Sequence, residues 1–276
     1  MNGIRITDEE FTRLAAFIKS RYGIHLKSEK KALVMGRLSG LLLERGIGSF
    51  SEYLRYVASD ASGEATASLA DKITTNHTFF MRETSHFGYF KEAVLPRLRA
   101  EVRDRDLRIW SAGCSSGEEP YTLAMLLDES FGAAEYGRTW DTRLLATDIS
   151  AKALSVAVRG VYADKDLEAL PPAWRSAYFR RVGGGRSEVE ERIKRQVIFR
   201  KFNLMQEIFP FKRKFHAIFC RNVMIYFDEG TKRELVRKFH AFTEPGGYLF
   251  IGHSESLERE QSGYRYVMPS VYRKEG

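Results

Sequence analysis

Apolar positions in the first 75 or so residues recur at helical spacing. Thr7 with Glu10 forms a capping-box pattern ahead of Phe11, Leu14, Phe17 and Ile18, which fall on one side of a helix that Tyr22-Gly23 ends. A second helix is predicted over residues 29–44, with Leu33, Leu38, Leu41 and Leu42 turned inward and Gly46 as its stop. Ser49 and Glu52 repeat the capping box ahead of Tyr53, Leu54 and Val57, and a fourth helix covers residues 64–73. Residues 74–82, TTNHTFFMR, read as a join, and residues 87–100 as a helix. From Leu107 the period changes, and short apolar runs alternate with helical stretches, the pattern of a parallel sheet covered by helices. Strands are predicted at 107–112, 143–147 (ending at Asp148), 197–202, 215–220 and 248–251. Helices are predicted from Glu119 or Pro120 to 129, over 151–158, and from a Thr231–Glu234 cap to Phe242. Pro245-Gly246-Gly247 turns into the strand at 248, and strands at 264–268 and 271–273 close the sheet as a hairpin. Residues 160–196 break the alternation. There Gly183-Gly184-Gly185 turns between two charged, partly alternating runs, which reads as a small antiparallel β subdomain inserted in the sheet domain. The predicted class is therefore α/β, with a helical domain at 1–75 and a sheet domain at 76–276.

Composition narrows the setting. A chain of 276 residues holds one large or two modest domains and a sizeable core. No apolar run approaches the roughly 20 residues of a membrane span, and MNGIRITDEEFTRL has no signal-peptide apolar core. Cys114 and Cys220 give no disulfide framework, so a cytoplasmic protein with reduced thiols is expected. Neither cysteine has a second Cys or a His at ligand spacing and the six histidines form no ligand pattern, so no metal site is predicted. The formal charge is +8. Residues 175–214 hold twelve Lys and Arg against four Glu, an excess equal to that of the whole chain. Such a stretch suits an acidic partner, or is simply a solvated face. The helical domain adds Lys27, Lys30, Lys31, Arg37 and Arg45.

The most informative stretch is residues 107–121, LRIWSAGCSSGEEPY. An apolar run ends in a glycine-containing turn, and Glu118 and Glu119 open the following helix with Pro120 at a favoured position. Glycines between strand and helix let backbone approach a ligand closely. A helix N-terminus that receives phosphate is kept free for the anion; here two carboxylates occupy it. That disfavours a pyrophosphate and suits a ligand with cationic groups and hydroxyls, such as S-adenosylmethionine. The plainer reading also stands, in which the glutamates only complement the helix dipole.

In an open α/β sheet the ligand lies beyond the carboxyl ends of the strands, where strand order switches. Asp148 ends the second strand, where a carboxylate accepts hydrogen bonds from ribose hydroxyls. Asn203 and Leu204 follow the third strand-like run and suit an adenine contact and an apolar wall. Arg221 and Asn222 directly follow the fourth, with Tyr226 one helical turn later in FCRNVMIYF. Tyr226 reads either as a site residue or as a half-buried packing aromatic.

The runs TTNHTFFMRE, WSAGCSSGEEPYTLAMLL, ATDIS, FNLM, FHAIFCRNVMIYFD and PGGYLFIGHSES resemble, in order and spacing, the chemotaxis receptor glutamate O-methyltransferases. The likeness covers nearly the whole chain, with FCRNVMIYF and SSGEEPY its most specific parts. It implies a Rossmann-like S-adenosylmethionine-dependent methyltransferase sheet, an N-terminal helical domain, a small inserted β subdomain, and methyl transfer to glutamate side chains of chemoreceptors. It further implies cofactor contacts at Asn76, Thr78 and Arg82, at Glu118 or Glu119 with Glu119 favoured, and at Asp148, Asn203, Leu204, Arg221 and Asn222. Arg82 and Tyr226 would sit nearest the methyl. The turn at Gly183-Gly184-Gly185 is shorter than in relatives whose β subdomain grips a receptor tether, which predicts a member working without one.

The implied chemistry needs no general base, because a glutamate with a reference pKa of about 4.3 is already ionised near neutrality. A monomer acting on glutamate-bearing receptor helices is expected, without nucleic acid or membrane insertion. Rival readings are a nucleic-acid methyltransferase, which the charge permits but for which neither an Asn/Asp-Pro-Pro-Tyr/Phe run nor a Pro-Cys nucleophile is present, and a non-catalytic cofactor-binding regulator of receptors. A nicotinamide dehydrogenase is disfavoured because the turn lacks G-x-G-x-x-G.

Overall fold

The computed structural model describes residues 4–74, 76–132, 139–258 and 262–275; Thr75 of the join lies outside them. Four helices, α1 (Asp8–Tyr22), α2 (Lys31–Glu44), α3 (Phe50–Ser59) and α4 (Glu64–Ile73), form the N-terminal bundle. The first capping box is complete: the Thr7 hydroxyl accepts from the Glu10 N–H at 3.1 Å, and the Glu10 carboxylate accepts from the Thr7 N–H at 3.0 Å. The second is half made. Ser49 Oγ accepts from the Glu52 N–H, but the Glu52 carboxylate takes the Gly48 N–H instead. In α2 the buried stripe is Val34, Leu38, Leu41 and Leu42, at i, i+4, i+7 and i+8. Leu33, expected inside, stands one residue off that stripe and is 45% exposed.

The polypeptide then forms α5 (Thr84–Tyr89) and α6 (Leu95–Glu101), joined through a π turn over Phe90–Val94. Alternating elements follow: β1 (Ile109–Ala112), α7 (Glu118–Phe131), β2 (Leu144–Asp148) and α8 (Ala151–Arg159). The excursion comprises β3 (Val161–Ala163), α9 (Pro172–Tyr178), β4 (Phe179–Gly183), β5 (Arg186–Val189) and α10 (Glu191–Lys194). The chain returns through β6 (Val197–Lys201), β7 (Phe215–Cys220), α11 (Glu229–Phe242), β8 (Thr243–Ile251), β9 (Tyr264–Met268) and β10 (Val271–Lys274). Asp228, not Thr231, caps α11; its carboxylate accepts from the Thr231 N–H and pairs with Lys19 at 2.6 Å, holding the start of α11 to α1.

The main sheet has the order β6-β2-β1-β7-β8-β10-β9. Its first five strands are parallel, and the C-terminal hairpin adds two antiparallel ones. The chain passes from β1 outward to β2 and β6, then returns to the other side of β1 with β7. The switch in strand order therefore lies between β1 and β7. The excursion is a separate antiparallel sheet, β3-β5-β4, as expected for 160–196. The Pro245-Gly246-Gly247 turn is absorbed as an irregularity within β8, where Phe215 pairs with Thr243 and Ala217 with Tyr248.

Alternation along the strands divides the core between the two faces. On β8, Leu249 and Ile251 face the side that also buries the helical bundle, whereas Tyr248 and Phe250 face α5, α6 and α7. The bundle thus shares one core with a sheet face. Trp110 centres that core, with Phe202, Phe209, Phe211, Phe215 and Phe239 at ring-centroid distances of 4.8–5.9 Å. Its indole N–H is satisfied by Thr147 Oγ1 at 2.9 Å.

Candidate active site

The carboxyl ends of β1, β2, β6 and β7 open into a cavity of about 430 Å³. Its walls come from three sources: the bundle, the join after α4, and the loops that leave the strands. Of the candidate residues, Asn76, Thr78, Arg82, Glu119, Asp148, Asn203, Leu204, Arg221, Asn222 and Tyr226 all line it. Glu118 is the exception. It is buried outside the cavity wall, accepts hydrogen bonds from Ser116 Oγ at 2.8–2.9 Å, and burial raises its carboxyl above the ordinary value. Consecutive helical residues point about 100° apart, so two adjacent glutamates cannot share one direction.

Asp148 is held rigidly at the end of β2. One carboxylate oxygen accepts from the Ser115 N–H and the other from the Ser150 N–H, both at 2.8 Å. Burial outweighs these bonds and raises its pKa above the usual carboxylate value. Each oxygen retains lone-pair capacity toward a ligand diol. The turn glycines have another role than the one expected. A Cβ on Gly117 would meet Ala157 Cβ and the Tyr162 hydroxyl at 2.9 Å, and one on Gly113 would meet Val223 Cγ2 at 2.4 Å. Both have positive φ, so here glycine admits neighbouring protein rather than ligand alone.

Arg221 is only 3% exposed in its side chain and is fully engaged by protein. Its guanidinium reaches Glu119 Oε2 at 3.1 Å and Glu83 Oε2 at 3.1 Å, donates to the Arg82 carbonyl, and lies over the Phe87 ring. Glu119 in turn accepts from Ser111 Oγ at 2.7 Å. Glu83 was not singled out by the sequence, yet it ties the join to both strand ends. Its other oxygen accepts from the Asn222 amide and the His253 N–H, each at 3.1 Å. Burial alone would raise the Glu83 carboxyl, but these donors and Arg221 outweigh it and hold the pKa low. Glu255 was missed as well; it receives the N–H groups of Asn222, Ile225 and Gly252 and so fixes the loop that carries Tyr226. The available signal was that acids abut both runs, Glu83 after Arg82 and Glu255 within GHSES.

Four non-glycine residues around the cavity, Met81, Glu83, Ser115 and Asn222, adopt positive φ. Backbone held in this sparsely populated region concentrates at functional sites. Asn203 lines the cavity, but its side chain serves the fold: the amide donates to the Arg21 carbonyl at 2.7 Å and accepts from the Met205 N–H at 3.0 Å. The Asn76 carbonyl accepts from Ser115 Oγ, and its amide reaches Ser150 Oγ at 3.4 Å, which draws the join onto the ends of β1 and β2. Burial pushes the Cys114 and Cys220 thiols well up, so neither supplies a thiolate near neutral pH.

Two sequence expectations change. None of the twelve cations of residues 175–214 lines the cavity, and Arg180, Arg192, Lys194, Arg195 and Arg213 are paired with nearby carboxylates. The exposed lysines at the cavity are Lys27 and Lys30 of the helical domain, joined by exposed His25 and His77, by half-buried Arg82 from the join, and by half-buried Arg37 of α2, which donates to the Ile73 carbonyl. The fold also brings His86, His253 and Glu83 together, with one ligand atom from each within 4.8 Å of the others, a grouping that linear spacing did not reveal. Both Glu83 oxygens are already engaged by Arg221, Asn222 and the His253 N–H.

The donor set suits S-adenosylmethionine. The cavity offers two acidic groups, Glu119 and Asp148, both deep at the strand ends, in place of a phosphate-binding helix terminus. A family model described as "CheR methyltransferase, SAM binding domain" matches residues 76–272, and one described as "CheR methyltransferase, all-alpha domain" matches residues 9–74. The chain belongs to the CheR methyltransferase family. It is similar to the chemotaxis protein methyltransferase of Borreliella burgdorferi, 42% identical over 275 residues, covering 98% of this chain and 96% of that one. Its counterpart from Vibrio parahaemolyticus is 38% identical, covering 93% and 92%. That of Escherichia coli K12 is 35% identical, covering 98% and 92%. The protein is thus an S-adenosylmethionine-dependent methyltransferase of chemotaxis. Among the described residues no helix is long and apolar enough to cross a membrane.

Proposed function

We propose that the protein esterifies glutamate side chains on the cytoplasmic helices of chemoreceptors, giving glutamate methyl esters and S-adenosylhomocysteine. The observation that carries this reading is the distribution of charge in one cavity. Acids lie at its floor, Glu119 and Asp148, and exposed cations, Lys27 and Lys30, lie on its outer wall. A cationic nucleoside suits the floor, and an acidic polypeptide suits the mouth.

When bound, S-adenosylmethionine supplies a methyl group activated by its sulfonium. Asp148 would accept from the ribose hydroxyls and Glu119 from the ammonium, each carboxylate already oriented by protein donors. Leu204 and Asn203 would flank the adenine, with Asn76 and Thr78 closing the near side from the join. Arg82, whose Nη1 donates to the His77 carbonyl at 2.8 Å, keeps further donors for a carboxylate of cofactor or substrate. Tyr226 would hydrogen-bond the incoming glutamate. An ionised carboxylate needs neither a base nor a Lewis acid, so we assign no metal to the reaction. Alignment and exclusion of water are what these residues contribute, a class of effect that supplies on the order of 7–11 kcal/mol in well-oriented systems. The short Gly183-Gly184-Gly185 stretch of the sequence, which forms the β4–β5 turn, is the basis on which we propose a member that works without a receptor tether. We assign it to the cytoplasm as a monomer.

The test is transfer from tritiated S-adenosylmethionine, offered separately to receptor-bearing membranes and to RNA. Base-labile label on receptor protein is expected; label on RNA, or base-stable label on protein, overturns the reading. Tyr226→Phe is expected to lower turnover a few-fold with little change in S-adenosylhomocysteine affinity by calorimetry. Lost affinity in that variant would reassign Tyr226 to cofactor binding.

A further inference from the structure

Soluble proteins scatter single apolar side chains over their surface, and only their clustering calls for explanation. Eight large hydrophobic residues are exposed among the described residues. Three of them, Leu33 at 45%, Phe79 at 46% and Ile225 at 45%, line the same cavity. They come from three separate parts of the chain: the first turn of α2, the join, and the loop after β7. Leu33 lies off the buried stripe of its helix, so bundle packing does not account for it. Lys27 and Lys30 line the cavity beside them, exposed and without a carboxylate partner among the described residues. The acids of the cavity, Glu119 and Asp148, are withdrawn to the floor.

We propose that Leu33, Phe79 and Ile225 form an apolar rim that selects the substrate helix by the residues flanking its target glutamate. This rests on the reading that the acceptor is a glutamate on a receptor helix. An acidic helix docked against Lys27 and Lys30 sets its glutamate toward the floor. Residues three or four positions away lie on the same helix face and meet the rim. An apolar side chain there covers the exposed leucine, phenylalanine and isoleucine; a charged one is left desolvated against them. The lysines accordingly select acidic helices in general, and the rim selects among them.

The experiment compares Leu33→Ser and Ile225→Ser with Leu43→Ser, a control on α2 that is 63% exposed and does not line the cavity. Each is assayed with a receptor cytoplasmic fragment and, by calorimetry, with S-adenosylhomocysteine. The rim variants are expected to raise KM for the fragment roughly five- to tenfold, with nucleoside affinity unchanged and the control like the parent. A fragment whose apolar residues flanking the glutamate are changed to serine should show the same rise with the parent enzyme, and no further rise with Leu33→Ser. Unshifted KM in both rim variants, or an equal shift in the control, overturns the proposal while leaving glutamate methylation intact. No transfer to receptor by the parent enzyme removes the underlying reading as well. Concentration-dependent dimerisation of the parent that Leu33→Ser abolishes would assign the rim to a second copy of this chain instead.

Discussion

The backbone N–H of His25 donates to the carbonyl oxygen of Tyr226 at 2.8 Å. The adjacent pair, Ile24 and Phe227, forms an antiparallel bridge. The helical domain is thereby laced to the loop that carries the candidate catalytic tyrosine. Gly23, with φ of 72°, makes the turn from α1 into this bridge. A Cβ at that position would meet Met205 Sδ at 2.4 Å.

Gly23→Ala should therefore destabilise the fold by about 1–2 kcal/mol from the left-handed backbone alone, with displacement of Met205 adding to it. Urea unfolding should show a lower midpoint at an unchanged slope. Because the same turn positions Tyr226, methyl transfer should fall more than nucleoside affinity.

Asp148→Asn keeps the size of the side chain but removes the charge and turns an NH2 toward a backbone donor, since both oxygens now accept from N–H groups. A charge-assisted hydrogen bond contributes about 1.5–3 kcal/mol. Calorimetry with S-adenosylhomocysteine should show affinity weakened by roughly ten- to a hundredfold. An unchanged Kd would place the ribose elsewhere.

Arg221→Ala should cost about 3–5 kcal/mol of stability, because it strands two largely buried carboxylates, Glu83 and Glu119. Chemical denaturation measures this directly. Combining Arg221→Met with Glu83→Gln should recover part of the loss, since the uncompensated charge is removed with its partner.

Acid should destabilise the protein through its buried histidines. Burial, aided by the Arg221 charge, lowers the His86 pKa from 6.5 to about 4. Burial and Arg108 lower that of His216 to about 4 likewise. The folded values lie below the unfolded one, so between pH 6.5 and 4 the unfolded chain binds more protons. The stabilising effect of keeping these rings neutral is complete above that window and is lost as pH falls through it, at up to about 1.4 kcal/mol per pH unit per histidine. His86→Phe, facing the rings of Phe250 and His253, should flatten the acid limb of the stability–pH curve by one proton's worth.

Local features were legible in the residues themselves. The Thr7 cap, the alternation after Leu107, the strand-terminal Asp148 and the insertion at 160–196 all follow from periods of 3.6 or 2 and from turn chemistry, which operate over a few neighbours. Glu119, Asp148, Arg221 and Asn222 were found because every parallel strand delivers its carboxyl end to one edge of the sheet. What each side chain does there depended on partners far away in the chain. Arg221 meets Glu83 across 138 positions, and that contact exists only because β7 returns beside β1. Tertiary placement also set Glu119 rather than Glu118 on the cavity wall, put Leu33 at the cavity rather than in the core, and left the basic stretch of 175–214 off the cavity wall. The sequence by itself determined the elements and the edge of the sheet where the chemistry lies, because backbone periodicity and capping are local. Only the tertiary structure decided which charges face the cavity and which face one another, because burial and ion pairing are set by strand order.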